Sequence, residues 1–163
     1  FMGLLKAFKI TVNKFNNLKL IIVGSGTEKT RIKNYIKQNN LNKNVLLVGY
    51  KKTEKYFKKS GLFVLNSLFE GLPNVIIEAL KYKIPIISTN CLSGPKEILS
   101  NGKYGYLVPV DNHYKLAKKI IWVIENYNDA LNKSQRGFKS LERFDYKIQC
   151  NKYLKFIDKI YKS

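Results

Sequence analysis

At 163 residues, with 45% hydrophobic and 25% charged side chains, the chain has a globular composition, which excludes fibrous and disordered classes. A chain of this length buries roughly two-thirds of the surface its unfolded form exposes, so one self-sufficient core is expected. The net charge of +19 favours acidic partners in general, but Arg31, Arg136 and Arg143 are its only arginines, and lysine lacks the fork that reads bases and phosphates; a solvated lysine surface with weak attraction to anionic membranes is expected, and nucleic acid is not.

The N-terminus, from Phe1 to Lys6, has no secretory pattern, and no apolar run approaches the ~20 residues of a bilayer span; the expectation is a cytoplasmic protein, at most peripheral at the inner membrane face. Residues 3–14 read as a helix with Leu4, Leu5, Phe8 and Val12 on one face. Residues 18–23 form a buried strand ending at Gly24-Ser25-Gly26, which fails the dinucleotide fingerprint because Lys29 stands where the third glycine belongs. A helix over 28–38 follows through Ile32 and Ile36, then a strand over 45–48 ending at Gly49-Tyr50, a short helix over 53–59 and a strand over 62–65.

The loop 66–71 leads into a helix with Pro73 at its first position, where a missing N–H costs nothing. A strand over 85–89, a short helix over 94–99 and a strand over 105–108 complete the alternation. His113 falls at the start of a surface helix and draws no catalytic assignment. The tail is helical, with one apolar face through Leu116, Ile120 and Ile124 and another, over 146–161, through Ile148, Tyr153, Phe156 and Ile160; Tyr153 and Tyr161 read as packing residues. Cys91 and Cys150 have no partner at metal-ligand spacing, so no metal site is expected and the thiols read as buried or incidental. The fold class is α/β, a Rossmann-like doubly wound parallel sheet, with 1–127 as the binding domain and 128–163 as its C-terminal helical extension.

Ligands of open α/β sheets bind beyond the carboxyl ends of the strands, and three such ends carry suitable residues: Gly24 to Gly26, Gly49-Tyr50 and Asn66 to Asn74. The helix beginning near Pro73 offers free N–H groups and a positive dipole end, while Gly71 permits close backbone approach, which together suit a diphosphate. Glu78 lies five residues past Pro73, or ~7.5 Å along the helix, so Glu70 and Glu78 address different parts of one ligand. Carboxylates are acceptor-only and suit hydroxyls, and a nucleotide sugar presents sugar, diphosphate and ribose in that order.

The run Glu70-Gly71-Leu72-Pro73-Asn74-Val75-Ile76-Ile77-Glu78-Ala79-Leu80 closely resembles the E-x7-E signature of retaining glycosyltransferases of GT-B fold, family four type. Leu20 to Gly26, Val45 to Tyr50, Leu62 to Ser67, Ile84 to Thr89, Gly94 to Ile98 and Gly102 to Pro109 follow in the order of such C-terminal domains. The resemblance implies that Glu70 touches the transferred sugar and acts in catalysis, that Glu78 binds the ribose, and that the turn Leu72-Pro73-Asn74-Val75 binds the donor, the backbone N–H groups on either side of Pro73 holding the diphosphate and sugar. It further implies that Gly24 lets the chain approach the donor and that Tyr50 sits beside the base. The implied donor is a UDP-sugar, used without metal or other cofactor, and the acceptor is a glycan or lipid-linked glycan bound by an N-terminal domain. The Ser93-Gly94-Pro95-Lys96-Glu97-Ile98 run is most like bacterial enzymes of lipopolysaccharide, capsule or lipid-linked oligosaccharide synthesis.

Such domains open with a strand bearing an Arg and then a Lys against the diphosphate, and this chain starts after them, so half of a GT-B fold lacking its first strand is expected, inactive or nearly so alone. The strands over 18–23 and 62–65 would flank that strand; either they pair directly, or a gap leaves backbone groups unpaired. Rival readings are a sugar-nucleotide epimerase of GT-B architecture and an inactive basic binding module.

Overall fold

The computed structural model describes residues 1–161. In chain order it runs α1 (Met2–Lys14), β1 (Leu20–Val23), α2 (Lys29–Gln38), β2 (Val45–Gly49), α3 (Glu54–Phe57), β3 (Phe63–Leu65), α4 (Asn74–Lys81), β4 (Ile86–Thr89), α5 (Pro95–Ile98), β5 (Tyr106–Val108), α6 (His113–Glu125), α7 (Tyr127–Lys139), a 3-10 turn (Leu141–Phe144) and α8 (Tyr146–Tyr161). Each element expected from the sequence is present, with ends shifted by one or two residues where terminal turns fray.

All strand pairs are parallel, but the strands do not form one sheet. β1 pairs with β2, and separately β3, β4 and β5 pair in that order. Of the two outcomes left open by the sequence, the gap is the one adopted: β1 and β3 do not pair, and each has a single strand partner among the described residues.

Helix α1 holds the two sheets together, and its sequence shows why. Leu4 and Ala7 point into a core with Ile87, Val108, Leu116, Ile120 and Val123, whereas Leu5 and Phe8 enter a second core with Ile22, Ile32, Ile36, Leu41 and Val45. Residues three and four apart thus serve both cores from adjoining stripes of one helix. A third core, built from Phe57, Ile76, Leu80, Ile84, Ile86, Ile98 and Leu99, covers the other face of the three-stranded sheet. Successive residues Ile86 and Ile87 of β4 therefore enter opposite cores, which is why all four residues of that strand are buried.

In the tail, Asn112 caps α6 by accepting the N–H of Lys115, and Asp145 accepts the N–H groups of Lys147 and Ile148 at the start of α8. Helix α7 docks on α4, where Gly137 leaves room for Leu80 and Tyr104 and the Ser134 hydroxyl donates to the Lys83 carbonyl at 2.6 Å. Helix α8 corrects the sequence reading: it forms over the expected residues but buries none of them, and Tyr153, Phe156, Ile160 and Tyr161 are exposed. Periodicity reports an apolar face without saying whether anything covers it.

Candidate functional site

Because the strands within each sheet are parallel, the loops after β3 and β4 share one end of the larger sheet, and those after β1 and β2 share one end of the smaller. Between β1 and β2 the register slips, Ile22 opposing Leu47 and Val23 opposing Gly49, so Val48 is bulged out. The Gly24 N–H donates to the Gly49 carbonyl at 2.9 Å, placing Gly24 and Tyr50 on neighbouring turns. Gly24 has φ of +140°, and the space where a side chain would stand is empty, so the backbone there is open to approach. Tyr50 is 90% exposed and free to meet a ligand.

The loop after β3 carries Glu70. Its carboxylate Oε1 accepts the Ser67 hydroxyl at 2.6 Å, and its carbonyl accepts the Ser93 hydroxyl at 2.6 Å. Thr89, the last residue of β4, accepts the Ser67 N–H at 3.0 Å and donates to the Ser67 carbonyl at 2.6 Å. The loop after β4 presses on the same turn: Gly94, at φ +80°, lies where a Cβ would fall 2.0 Å from the Gly71 carbonyl oxygen and 2.4 Å from Pro73 Cδ. Only glycine fits this approach. Beneath Glu70, Cys91 is buried, and that burial pushes its thiol above the ordinary value, with the charge of Glu70 acting in the same direction.

Pro73 departs from its expected place. It is the residue before α4, extended at ψ 90°, and the helix begins at Asn74. Proline at the cap offers no side-chain acceptor, α4 has no side-chain cap bond, and its first turn holds no acidic residue. The helix therefore presents an uncompensated positive end where Leu72 is 49% exposed and Asn74 is exposed. Glu78 sits one turn further on, half-buried, its Oε2 accepting the Thr53 hydroxyl at 3.0 Å. That bond brings the segment after Tyr50 to α4.

The structure thus gathers Glu70, Gly71, Leu72, Pro73, Asn74, Val75 and Glu78 around the start of one helix, with Gly24 and Tyr50 on the turns reached through Thr53. Concavities of about 770 and 510 Å³ lie on α8 and beside α2, and neither is lined by Glu70 or Glu78; the geometry, not the cavity volume, marks the site. Sequence reasoning missed the hydroxyls of Thr53, Ser67, Thr89 and Ser93. Two signals pointed to them: the spacing Ser67-x-x-Glu70, and two hydroxyl residues closing an otherwise apolar strand at Ser88-Thr89. Chemically, the arrangement offers N–H donors for an anion between two oriented acceptors for hydroxyls.

Comparison with known proteins gives a consistent picture. The family model for glycosyl transferases group 1 matches residues 1–140. An uncharacterized glycosyltransferase of Methanocaldococcus jannaschii is 40% identical over 133 residues, covering 73% of this chain and 32% of the relative. The N-acetylgalactosamine-N,N'-diacetylbacillosaminyl-diphospho-undecaprenol 4-alpha-N-acetylgalactosaminyltransferase of Campylobacter jejuni is 34% identical over 122 residues, covering 74% of this chain and 33% of the relative. Among solved structures, a mutant of S. aureus TarM in complex with Fondaparinux, alpha-GlcNAc-glycerol and UDP superposes with a TM-score of 0.86 at 29% identity, covering 94% of this chain and 31% of that one. The chain spans about a third of the length of the curated relatives it matches.

Proposed function

The chain belongs to the glycosyl transferases group 1 family, and from that premise we propose that it is the donor-binding half of a retaining GT-B glycosyltransferase, taking a UDP-sugar. The observation that carries this is the uncapped start of α4, set between two half-buried glutamates each held by a Ser or Thr hydroxyl.

In this reading the donor diphosphate lies against the N–H groups of Leu72, Asn74 and Val75, where the helix dipole offsets its charge. Glu70, ahead of the helix, accepts hydroxyls of the transferred sugar and orients it for reaction. Glu78, one turn in, accepts the ribose hydroxyls, and Tyr50 lies beside the base, with Gly24 leaving room for the donor. No metal enters the scheme. UDP in the TarM complex and the undecaprenol-linked substrate in the Campylobacter enzyme's name support the donor and acceptor classes. The acceptor is a glycan or lipid-linked glycan of the cell envelope, met at the cytoplasmic membrane face, where the lysine-rich surface favours weak contact with anionic lipid. Acceptor binding falls to the N-terminal half of the GT-B fold, so these 163 residues by themselves bind donor and transfer little.

Isothermal calorimetry with UDP tests the reading. Binding is expected, and Glu78→Ala is expected to weaken it roughly tenfold, the effect of losing a charged hydrogen bond. A well-folded sample that takes up no UDP or UDP-sugar ends the proposal.

A further inference from the structure

Glu70 and Glu78 are held differently, and the difference has a structural cause. Glu78 is steadied by one hydroxyl, that of Thr53, reaching over from another turn. Glu70 is fixed at both ends, its carbonyl by Ser93 and its carboxylate by Ser67. Behind Ser67 stands Thr89, 2% exposed at the end of a strand buried along its whole length. The Thr89 hydroxyl takes the Ser67 N–H and gives its own proton to the Ser67 carbonyl, so both backbone polar groups of residue 67 are clamped by one buried atom.

We infer that Thr89 and Ser67 are positioning residues for Glu70: the end of the central strand β4 sets Thr89, Thr89 sets the backbone of Ser67, and the Ser67 hydroxyl sets the Glu70 carboxylate. The chemistry follows from the donor count. A hydroxyl has one proton, and Ser67 spends it on Oε1, which leaves Oε2 of Glu70 and the remaining lone pairs of Oε1 for hydroxyls of a ligand. The side chain is then ordered before the ligand arrives, so binding a sugar does not require it to be ordered again. Thr89 touches no ligand in this scheme. Its effect is confined to the part of the donor that meets Glu70, which is the sugar, while the nucleotide is served by Glu78 and the start of α4.

The inference rests on the donor-site reading, and the test separates the two. UDP, UDP-glucose and UDP-N-acetylglucosamine are titrated into the full chain and into Thr89→Val, Thr89→Ser, Ser67→Ala and Thr53→Val. Thr89→Val keeps the shape and removes the hydroxyl; its UDP affinity is expected to stay within about twofold, while the affinity of UDP-sugar relative to UDP falls roughly tenfold, the scale of one hydrogen bond to a charged group. Thr89→Ser restores the ratio, Ser67→Ala reproduces the loss, and Thr53→Val instead weakens UDP itself. Equal losses for UDP and UDP-sugar in a folded Thr89→Val chain overturn the inference, as does an unchanged ratio, while leaving the donor site standing. Should Thr89→Val fail to fold, Ser67→Ala at its half-buried position decides alone. If the parent chain binds none of the three ligands, the donor-site reading fails and the inference falls with it.

Discussion

The two sheets of this molecule are built to different standards. In the three-stranded sheet, β4 is buried along its whole length and apolar cores lie on both faces. In the two-stranded sheet, only Ile22 of β1 and Val45 of β2 are buried, and Leu46 is 56% exposed. Glu70 and Glu78 stand on the first unit; Gly24 and Tyr50 stand on the second. In the proposed reading, the acceptors for the sugar and the ribose thus rest on the more deeply buried unit, while the turns that meet the base end of the donor rest on the more exposed one. On that reading, burial is deepest beneath the residues whose displacement would cost most.

The largest expected effect breaks the rigid unit at its tightest contact. Gly94→Ala sets a Cβ against the Gly71 carbonyl in a backbone conformation that L residues rarely adopt, and a loss of about 3 kcal/mol or more is expected in urea unfolding, from overpacking and strain together. A fully stable Gly94→Ala chain would falsify the close approach. Next comes the splint between the sheets. Leu5 is wholly buried in the core shared with β1 and β2, and Leu5→Ala is expected to cost about 2 to 5 kcal/mol, with amide exchange in Leu20–Val23 and Val45–Gly49 accelerating more than in Ile86–Thr89. Uniform acceleration would mean that the two sheets unfold as one. Smallest is Leu46→Thr on the looser sheet, expected to change stability by no more than about 0.5 kcal/mol because the side chain is already more than half in water. A loss above 2 kcal/mol there would erase the contrast.

Much of this was legible in the amino-acid order. Alternating β-branched runs and amphipathic stretches located every strand and the helices between them, and the glutamate spacing around Pro73 singled out the candidate site. Which of the two sheet outcomes holds was not legible, because periodicity records which faces are buried and says nothing of which edges pair. Pro73 was misplaced by one residue: its fixed φ suits both the first helical position and the one before it, and its ψ of 90° decides the matter. The apolar stripe of α8 was read as packing, since a sequence cannot show whether a face has a cover. The hydroxyl supports were hidden for another reason. Thr53 and Glu78 are 25 positions apart, Ser67 and Thr89 are 22 apart, and only the folded chain brings them together.

The contact of Gly94 with Gly71 and Pro73 has a consequence for how this chain can diverge. Two loops separated in sequence meet at one contact, and it binds them unequally: a Cβ at Gly94 has no room, whereas a Cβ at Gly71 meets open space. The steric constraint falls on residue 94. The turn that follows Thr89 is, in that sense, the fixed stop against which the turn that carries Glu70 is set.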